Sequence, residues 1–425
     1  MDQKDQLSSK EALETTSLLP SLFRSEFAKI TAVITKTFGL QRLEEAEDLV
    51  SETFLLAAEN WKLKGIPDNP QAWLYAVAKN KAKDYLRRRQ LFDQKITPNL
   101  QHNRLDSHEL DLSLHAIQDS QLQMIFAVCH PVLPSESQIG LALRILCGLG
   151  IEEIAQAFLT SKETINKRLY RAREKLRKEN IQMEMPAADE TDARLDNVLS
   201  TIYLLFNEGY YAHDQVKSIR RDLCLEAIRL CLLLLQHPNF NKPRVAALLA
   251  LMCFHSSRFE ARINEEDQII LYDDQDRSLW NQELIDKGNE FLNLSARGDQ
   301  VSSYHLEAMI AWWHCQEQES EEKWESILQI YNRLLQVNYT PIAALNRTYA
   351  LAKARGEKIA LEEAKKLDLQ KSPLYHVLLG DLSVQINVQE AEMHYTDALK
   401  LASSPHEQEV IQQKMENLRK EKGTK

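Results

Sequence analysis

Apolar residues recur along this chain at three- and four-residue intervals, the period of a helix with one buried face. The clearest case is Ile165, Leu169, Ala172 and Leu176, which share one side of a helix predicted to run to Lys178. Glu163, Lys167, Tyr170, Arg171, Glu174 and Lys178 point the opposite way, with Asn166, Arg173 and Arg177 on the flank. Residues 151–160 predict a shorter helix and a tight turn just upstream. Ala155, Leu159 and Ile165 supply the small, turn and β-branched residues that a helix-turn-helix packs on. A second amphipathic helix is predicted over 71–89, with Leu74, Ala78, Ala82 and Tyr85 on its apolar side and Pro70 at its start. Tyr75, Lys79, Lys83 and Arg87 follow four-residue spacing on its exposed strip, beside Asn80, Asp84 and Arg88. Trp73 reads as packing. Residues 44–61 predict a third helix, with an acidic first turn suited to the positive end of a helix dipole and Leu49, Phe54, Leu55 and Ala58 for packing.

These helices fall into blocks. Residues 18–92 form the first, a polar stretch at 93–113 reads as a linker, and 114–180 end in the helix-turn-helix. A second linker is expected at 181–190 around Pro186, followed by a long helical series from 191 to 425. Ala391, Tyr395 and Ala398 match the second helix of a tetratricopeptide repeat, Leu379 and Gly380 match its first helix, and Trp324 and Tyr331 have first-helix spacing. With 11 Gly and 12 Pro among 425 residues, a turn-rich β architecture is disfavoured, so the chain reads as all-α in three parts.

Charge changes the picture once it is divided. The net charge of −10 suits no nucleic-acid binder, but residues 1–185 carry 25 basic and 25 acidic side chains and the remainder holds the whole deficit. Within the neutral part, residues 161–178 hold eight basic and two acidic residues, and 79–95 hold seven and two. Two concentrated cationic helices are the footprint of phosphate contact. The first suits a single strand, whose bases can be held out of the stack; the second can offer its N-terminal half to a major groove.

Other chemistry finds little support. Six cysteines stand singly, with no C-x-x-C, which favours reduced thiols in a cytoplasm. The N-terminus is polar and no run approaches a membrane span, so a soluble, cytoplasmic protein with no membrane partner is expected. The acidic turn from Asp273 to Arg277 lacks the glycine-containing calcium loop and reads as a hydrogen-bonded turn tying Arg277 and Trp280 to the array. Cys253, His255, His314 and Cys315 lack zinc spacing. No nucleophile–base frame or phosphate loop appears, so neither enzyme activity, metal nor cofactor is expected. The segment YLLFNEGYY is expected to end a helix at Phe206, with Asn207 or Gly209 as the left-handed terminal residue.

The segments AEDLVSETF, NPQAWLYAVAKNKAKDYLRRR and the helix-turn-helix with RLYRAREKLR, in that order, resemble a sigma factor of the extracytoplasmic function (ECF) group of the sigma-70 superfamily. CHPVLPSESQIGLALRILCGLGIEEIAQAFL extends the likeness, and YLLFNEGYYA with LYDDQDRSLW resembles the subgroup with a long tetratricopeptide-like extension. The resemblance implies region 2 over 18–92, region 4 over 114–180 and a regulatory extension over 191–425. It implies that the AEDLVSETF helix grips the β′ coiled coil of RNA polymerase through Asp48, Leu49, Thr53 and Phe54. The helix over 71–89 would engage the −10 promoter element through Lys79, Asn80, Lys83, Arg87 and Arg88. The second helix of the helix-turn-helix would enter the major groove of the −35 element with Thr164, Asn166, Lys167, Arg168 and Arg171, where Arg or Lys suits guanine and Asn suits adenine. The acidic extension can contact region 4, polymerase or a partner protein. The rival expectation is a free-standing helix-turn-helix regulator whose repeats sense a ligand or partner.

Overall fold

The computed structural model describes residues 3–96, 110–158, 160–211, 217–262, 270, 272–316, 320–402 and 405–423. Leu159, most of the linker expected at 93–113, Ala212 and Leu271 lie outside the described residues. All regular elements among the described residues are helices, as the apolar spacing predicts, and none is long and apolar enough to cross a membrane. Two compact units form: residues 1–212 with 218–236, and residues 213–217 with 237–425.

The first unit opens with three helices, α1 (Gln3–Phe38), α2 (Leu43–Lys64) and α3 (Pro70–Ile96). Phe27, Ile30, Ile34, Val50, Phe54, Ala57, Leu74, Ala78 and Ala82 make their shared core. Alanines at 78 and 82 let α3 lie close, and Tyr85 completes that side by stacking on Phe38 at 4.7 Å. The start of α3 is fixed by Asn69, whose side chain accepts the Ala72 N–H at 2.9 Å, satisfying a donor that has no partner within the helix. The helix continues to Ile96, so the first residues expected in the linker are helical. Where the linker is described again, Leu110 is sunk into the same core, as is Ile117 from the next helix.

That helix, α4 (Leu114–Val128), is capped by Ser113 and leads to α5 (Ser135–Leu141), which widens into a π-helical turn over Ala142–Leu146. The helix-turn-helix follows as α6 (Ile151–Ala157) and α7 (Lys162–Lys178). Two further helices, α8 (Thr191–Tyr211) and α9 (Lys217–Gln236), belong with it in the first unit rather than with the rest of the extension. α8 runs through Asn207, Glu208 and Gly209 instead of ending at Phe206. Tyr210 stacks on Phe206 one turn back at 5.6 Å and is buried, and that packing outweighs the roughly 1 kcal/mol preference of glycine for leaving a helix.

The second unit is a helical array from α10 (Pro243–Ser256) and α11 (Phe259–Arg262) through α12 (Gln282–Ser295), α13 (Ser303–His314), α14 (Glu321–Val337), α15 (Pro341–Arg355), α16 (Glu357–Ala364), α17 (Pro373–Ser383), α18 (Val388–Leu401) and α19 (Pro405–Gly423). Trp324 and Tyr331 on α14 pack in one core with Ala350 and Leu379, while Ala391, Tyr395 and Ala398 of α18 pack with Ile411 and Leu418. The tetratricopeptide-like spacing thus marks real helix pairs. Gly380 on α17 is the contact point of one: a Cβ there would stand 2.5 Å from a Tyr395 ring carbon, and the Tyr395 hydroxyl donates to Asp381 at 2.7 Å. The acidic segment forms two short 3-10 turns in which Asp276 accepts the Ser278 N–H and Arg277 lies 5.5 Å over Trp280.

Candidate nucleic-acid and polymerase interface

The helix-turn-helix is built as its stripe dictates. Ile165, Leu169, Ala172 and Leu176 are all buried, and sinking the three large ones contributes about 2 kcal/mol each. Ser161 caps α7 by accepting the Thr164 N–H at 3.2 Å, which fixes where the helix begins and which residues lead it. Ala155 is buried against this arrangement from α6. The outward face then carries Thr164, Asn166, Lys167 and Arg171, all exposed, with Tyr170 60% exposed beside them. Four of the five residues expected at a −35 element therefore share an open face.

Arg168 does not. Its guanidinium pairs with Glu136 at the start of α5 at 2.8 Å and lies 5.2 Å over the Phe158 ring, leaving the side chain 23% exposed. It braces the turn between the two helices from inside, where the sequence suggested a group offered outward.

On α3, Asn80, Lys83, Arg87 and Arg88 are exposed, Arg87 sharing its charge with Asp84 at 3.4 Å. Lys79 is half-buried in an open cavity of about 540 Å³ that it shares with Tyr75, Ala76 and the linker residues Leu110, Asp111 and Leu112. Tyr75 is held as well: its hydroxyl donates to Glu26 on α1 at 2.6 Å, and burial, then that bond, push the phenol above its ordinary pKa. The upper end of the expected strip is thus structural, and the exposed cations of the strip are Lys83, Arg87 and Arg88. Trp73 packs edge-on to Trp61 at 5.5 Å.

On α2 the four expected polymerase-binding residues divide. Asp48 is exposed, but Leu49, Thr53 and Phe54 are buried in the three-helix core, Thr53 with its hydroxyl donated to the Leu49 carbonyl at 2.9 Å. In this form those three shape the helix from beneath. The outward strip is Glu45, Asp48, Ser51, Glu52, Leu55 and Glu59, in which Leu55 is 62% exposed. Sequence reasoning placed Leu55 inside, because its helical phase differs from that of Phe54 by only one position.

α8 and α9 are fastened to the rest of the first unit by polar bonds. Gln138 on α5 donates to the His130 and Leu133 carbonyls at 3.2 and 2.8 Å and accepts from Asn197 and Thr201 of α8 at 3.1 and 3.0 Å. Arg194 donates to the Phe126 carbonyl at 2.7 Å, and Asn197 to that of Cys129. From α9, Arg229 donates to the Leu146 carbonyl at 3.4 Å and Asp222 pairs with Arg24 of α1. All six cysteines are buried, and burial raises the Cys129 and Cys253 thiols to about 12. Among the described residues no cluster of His, Cys, Asp or Glu could hold a metal ion.

Comparison with known proteins gives the arrangement its context. Residues 22–92 match the family Sigma-70 region 2, residues 123–176 match Sigma-70, region 4, and residues 194–296 match a family of unknown function (DUF6596). An uncharacterized protein of Rhizobium meliloti (strain 1021) is 33% identical over 393 residues, covering 90% of this chain and 92% of its own length. A probable RNA polymerase sigma factor of Haemophilus influenzae is 29% identical over 146 residues, 30% of this chain and 73% of its own. No solved structure matches. With sigma-70 regions 2 and 4 present in order and a helical extension behind them, the chain belongs to the sigma-70 family of RNA polymerase sigma factors, as an ECF-like transcription initiation factor with a C-terminal extension.

Proposed function

We propose that this sigma factor docks on core polymerase through the outward strip of α2, the β′ coiled coil lying along Asp48 and Leu55, with Leu49, Thr53 and Phe54 holding the helix in shape. The cations Lys83, Arg87 and Arg88, with Lys79 at their edge, engage the −10 element as its strands part, and Asn80 offers an amide to a base edge. α7 enters the major groove of the −35 element with Thr164, Asn166, Lys167 and Arg171, while Arg168 positions them. Residues 18–92 and 114–180 are the two reading domains, and the helices beyond 191 modulate them. The observation that carries this reading is the open face of α7, a cationic surface held rigidly by a fully buried stripe and a capped N-terminus.

Region 4 offers about four phosphate contacts, so at roughly −0.9 per contact in the slope of log affinity on log salt it binds weakly alone at physiological ionic strength. Tethering both domains to polymerase raises their effective concentration. The test is in vitro transcription by core polymerase and the purified chain on a random promoter library. The expected result is initiation from templates sharing two spaced elements, lost with Asp48→Ala through weaker polymerase capture. Footprinting of duplex DNA by the chain without polymerase, and no initiation with it, overturns the proposal.

A further inference from the structure

A cavity of about 150 Å³ opens within the first unit, where α1, the turn before α6, α6 itself and α9 come together. Its buried lining is apolar: Cys147 is 3% accessible, Leu223 is 2% accessible and Leu149 is half-buried. Leu225 stands at the mouth, 61% exposed. Burial, then the nearby Glu226, push the Cys147 thiol up, so it acts as an apolar wall and not as a nucleophile. The lining residues fall within the segments matched to sigma-70 region 2, to region 4 and to the family of unknown function, and no one of these segments could hold a ligand here alone.

The charges around the cavity decide what it takes. Three carboxylates line it against one guanidinium, that of Arg24, which is already paired with Asp222. Glu226 accepts from Arg229 Nε at 2.8 Å. Glu153 accepts the Gly150 N–H on Oε2 at 2.6 Å, and among the described residues it has no cationic partner. An anion entering here meets net negative charge. A neutral apolar molecule covers the Glu153 carboxylate without offering it a donor, which costs binding energy. A cation with a short hydrocarbon body suits both the leucines and the acid. A cavity of about this volume lined by aliphatic side chains accepts a body the size of benzene.

We propose that this cavity is a binding site for a small organic ammonium, its compact hydrocarbon body held among Leu149, Leu223 and Leu225 and its N–H donors turned to Glu153. Such a ligand touches α1, α6 and α9 together, so the extension and both matched sigma regions share one chemical input.

The test is a titration of the full chain with benzylamine, read by ligand-observed saturation-transfer NMR, beside benzyl alcohol and benzoate as neutral and anionic molecules of similar size. Benzylamine should bind saturably with a Kd of about a millimolar, the range open to so small a molecule. Benzyl alcohol should bind at least about fivefold more weakly and benzoate not at all, since only the ammonium gains a charge-assisted bond. Glu153→Gln keeps an oxygen for the Gly150 N–H and should cost benzylamine that same factor while leaving benzyl alcohol unchanged. Leu225→Arg alters an exposed position, so the fold survives it, and sets a cation at the cavity mouth; benzylamine binding should be lost. Equal binding of the amine and the alcohol, unchanged binding to Leu225→Arg, or no saturation at all overturns the proposal. Promoter-specific transcription is measured without any of these molecules, so a failure here leaves the sigma reading standing.

Discussion

Lys167 and Arg168 are adjacent cations at the head of α7, and they stand in different surroundings. Lys167 is exposed on the outward face, while Arg168 is 23% exposed, paired with Glu136 at 2.8 Å and lying over Phe158 at 5.2 Å. Lys167→Ala touches nothing that holds the fold, so its effect on stability should stay within about 0.5 kcal/mol. Its loss should appear in promoter binding instead. A phosphate contact removed lowers the salt slope by about 0.9 for every sequence alike, and a base contact removed costs about 1–3 kcal/mol and relaxes preference at one −35 position. Arg168→Ala removes an ion pair worth about 0.5–1 kcal/mol and a cation–π contact of about the same size. Loss of about 1–2 kcal/mol in a unit of this size lowers its Tm by roughly 3–6 °C. The assay is paired: thermal unfolding of each variant, and holoenzyme binding to promoter DNA from 50 to 200 mM salt. If Arg168→Ala abolishes binding with an unchanged Tm while Lys167→Ala binds normally, the assigned orientation of the recognition helix is wrong.

Three further outcomes follow from packing and protonation. Gly380→Ala drives a methyl group to 2.5 Å from the Tyr395 ring and should destabilise the second unit by about 1–3 kcal/mol, read as an earlier denaturant midpoint with unit 1 unaffected. The buried His305 accepts the Ser302 N–H at Nδ1 and donates from Nε2 to the Ser295 carbonyl, so it is neutral and burial holds its pKa below the usual value. The unfolded chain takes up the proton first, so stability should fall as pH drops below about 6.5, by at most about 1.4 kcal/mol per pH unit, and His305→Gln should flatten that dependence in calorimetry. A chain ending at Gln236 should keep a cooperatively folded first unit, whereas one ending at Met185 leaves Gln138 and the Phe126 and Cys129 carbonyls without their α8 donors and should aggregate; size exclusion distinguishes them.

What the sequence discloses is what lies within one helix. The stripe of α7 and the alanine side of α3 follow from local period and residue size. Burial of Leu49, Thr53 and Phe54 follows from the same period, but the family motif draws attention to them as partner residues. Glu47 reads as one acid among several in a first turn suited to the helix dipole. Nothing nearby marks it as special, because its partners Arg144 and Arg173 arrive from across the chain through packing. The continuation of α8 past Asn207 was hidden likewise, since a stacked aromatic pair decides it against the local preference.

The amide of Gln138 has its donors and its acceptor engaged, half toward its own loop and half toward α8. Such a junction tolerates no partial exchange. Anyone grafting this extension onto a different sigma factor must carry its own matching seam along with it, so the segment inherited or swapped as a cassette begins inside the helix-turn-helix half and not at the proline after it.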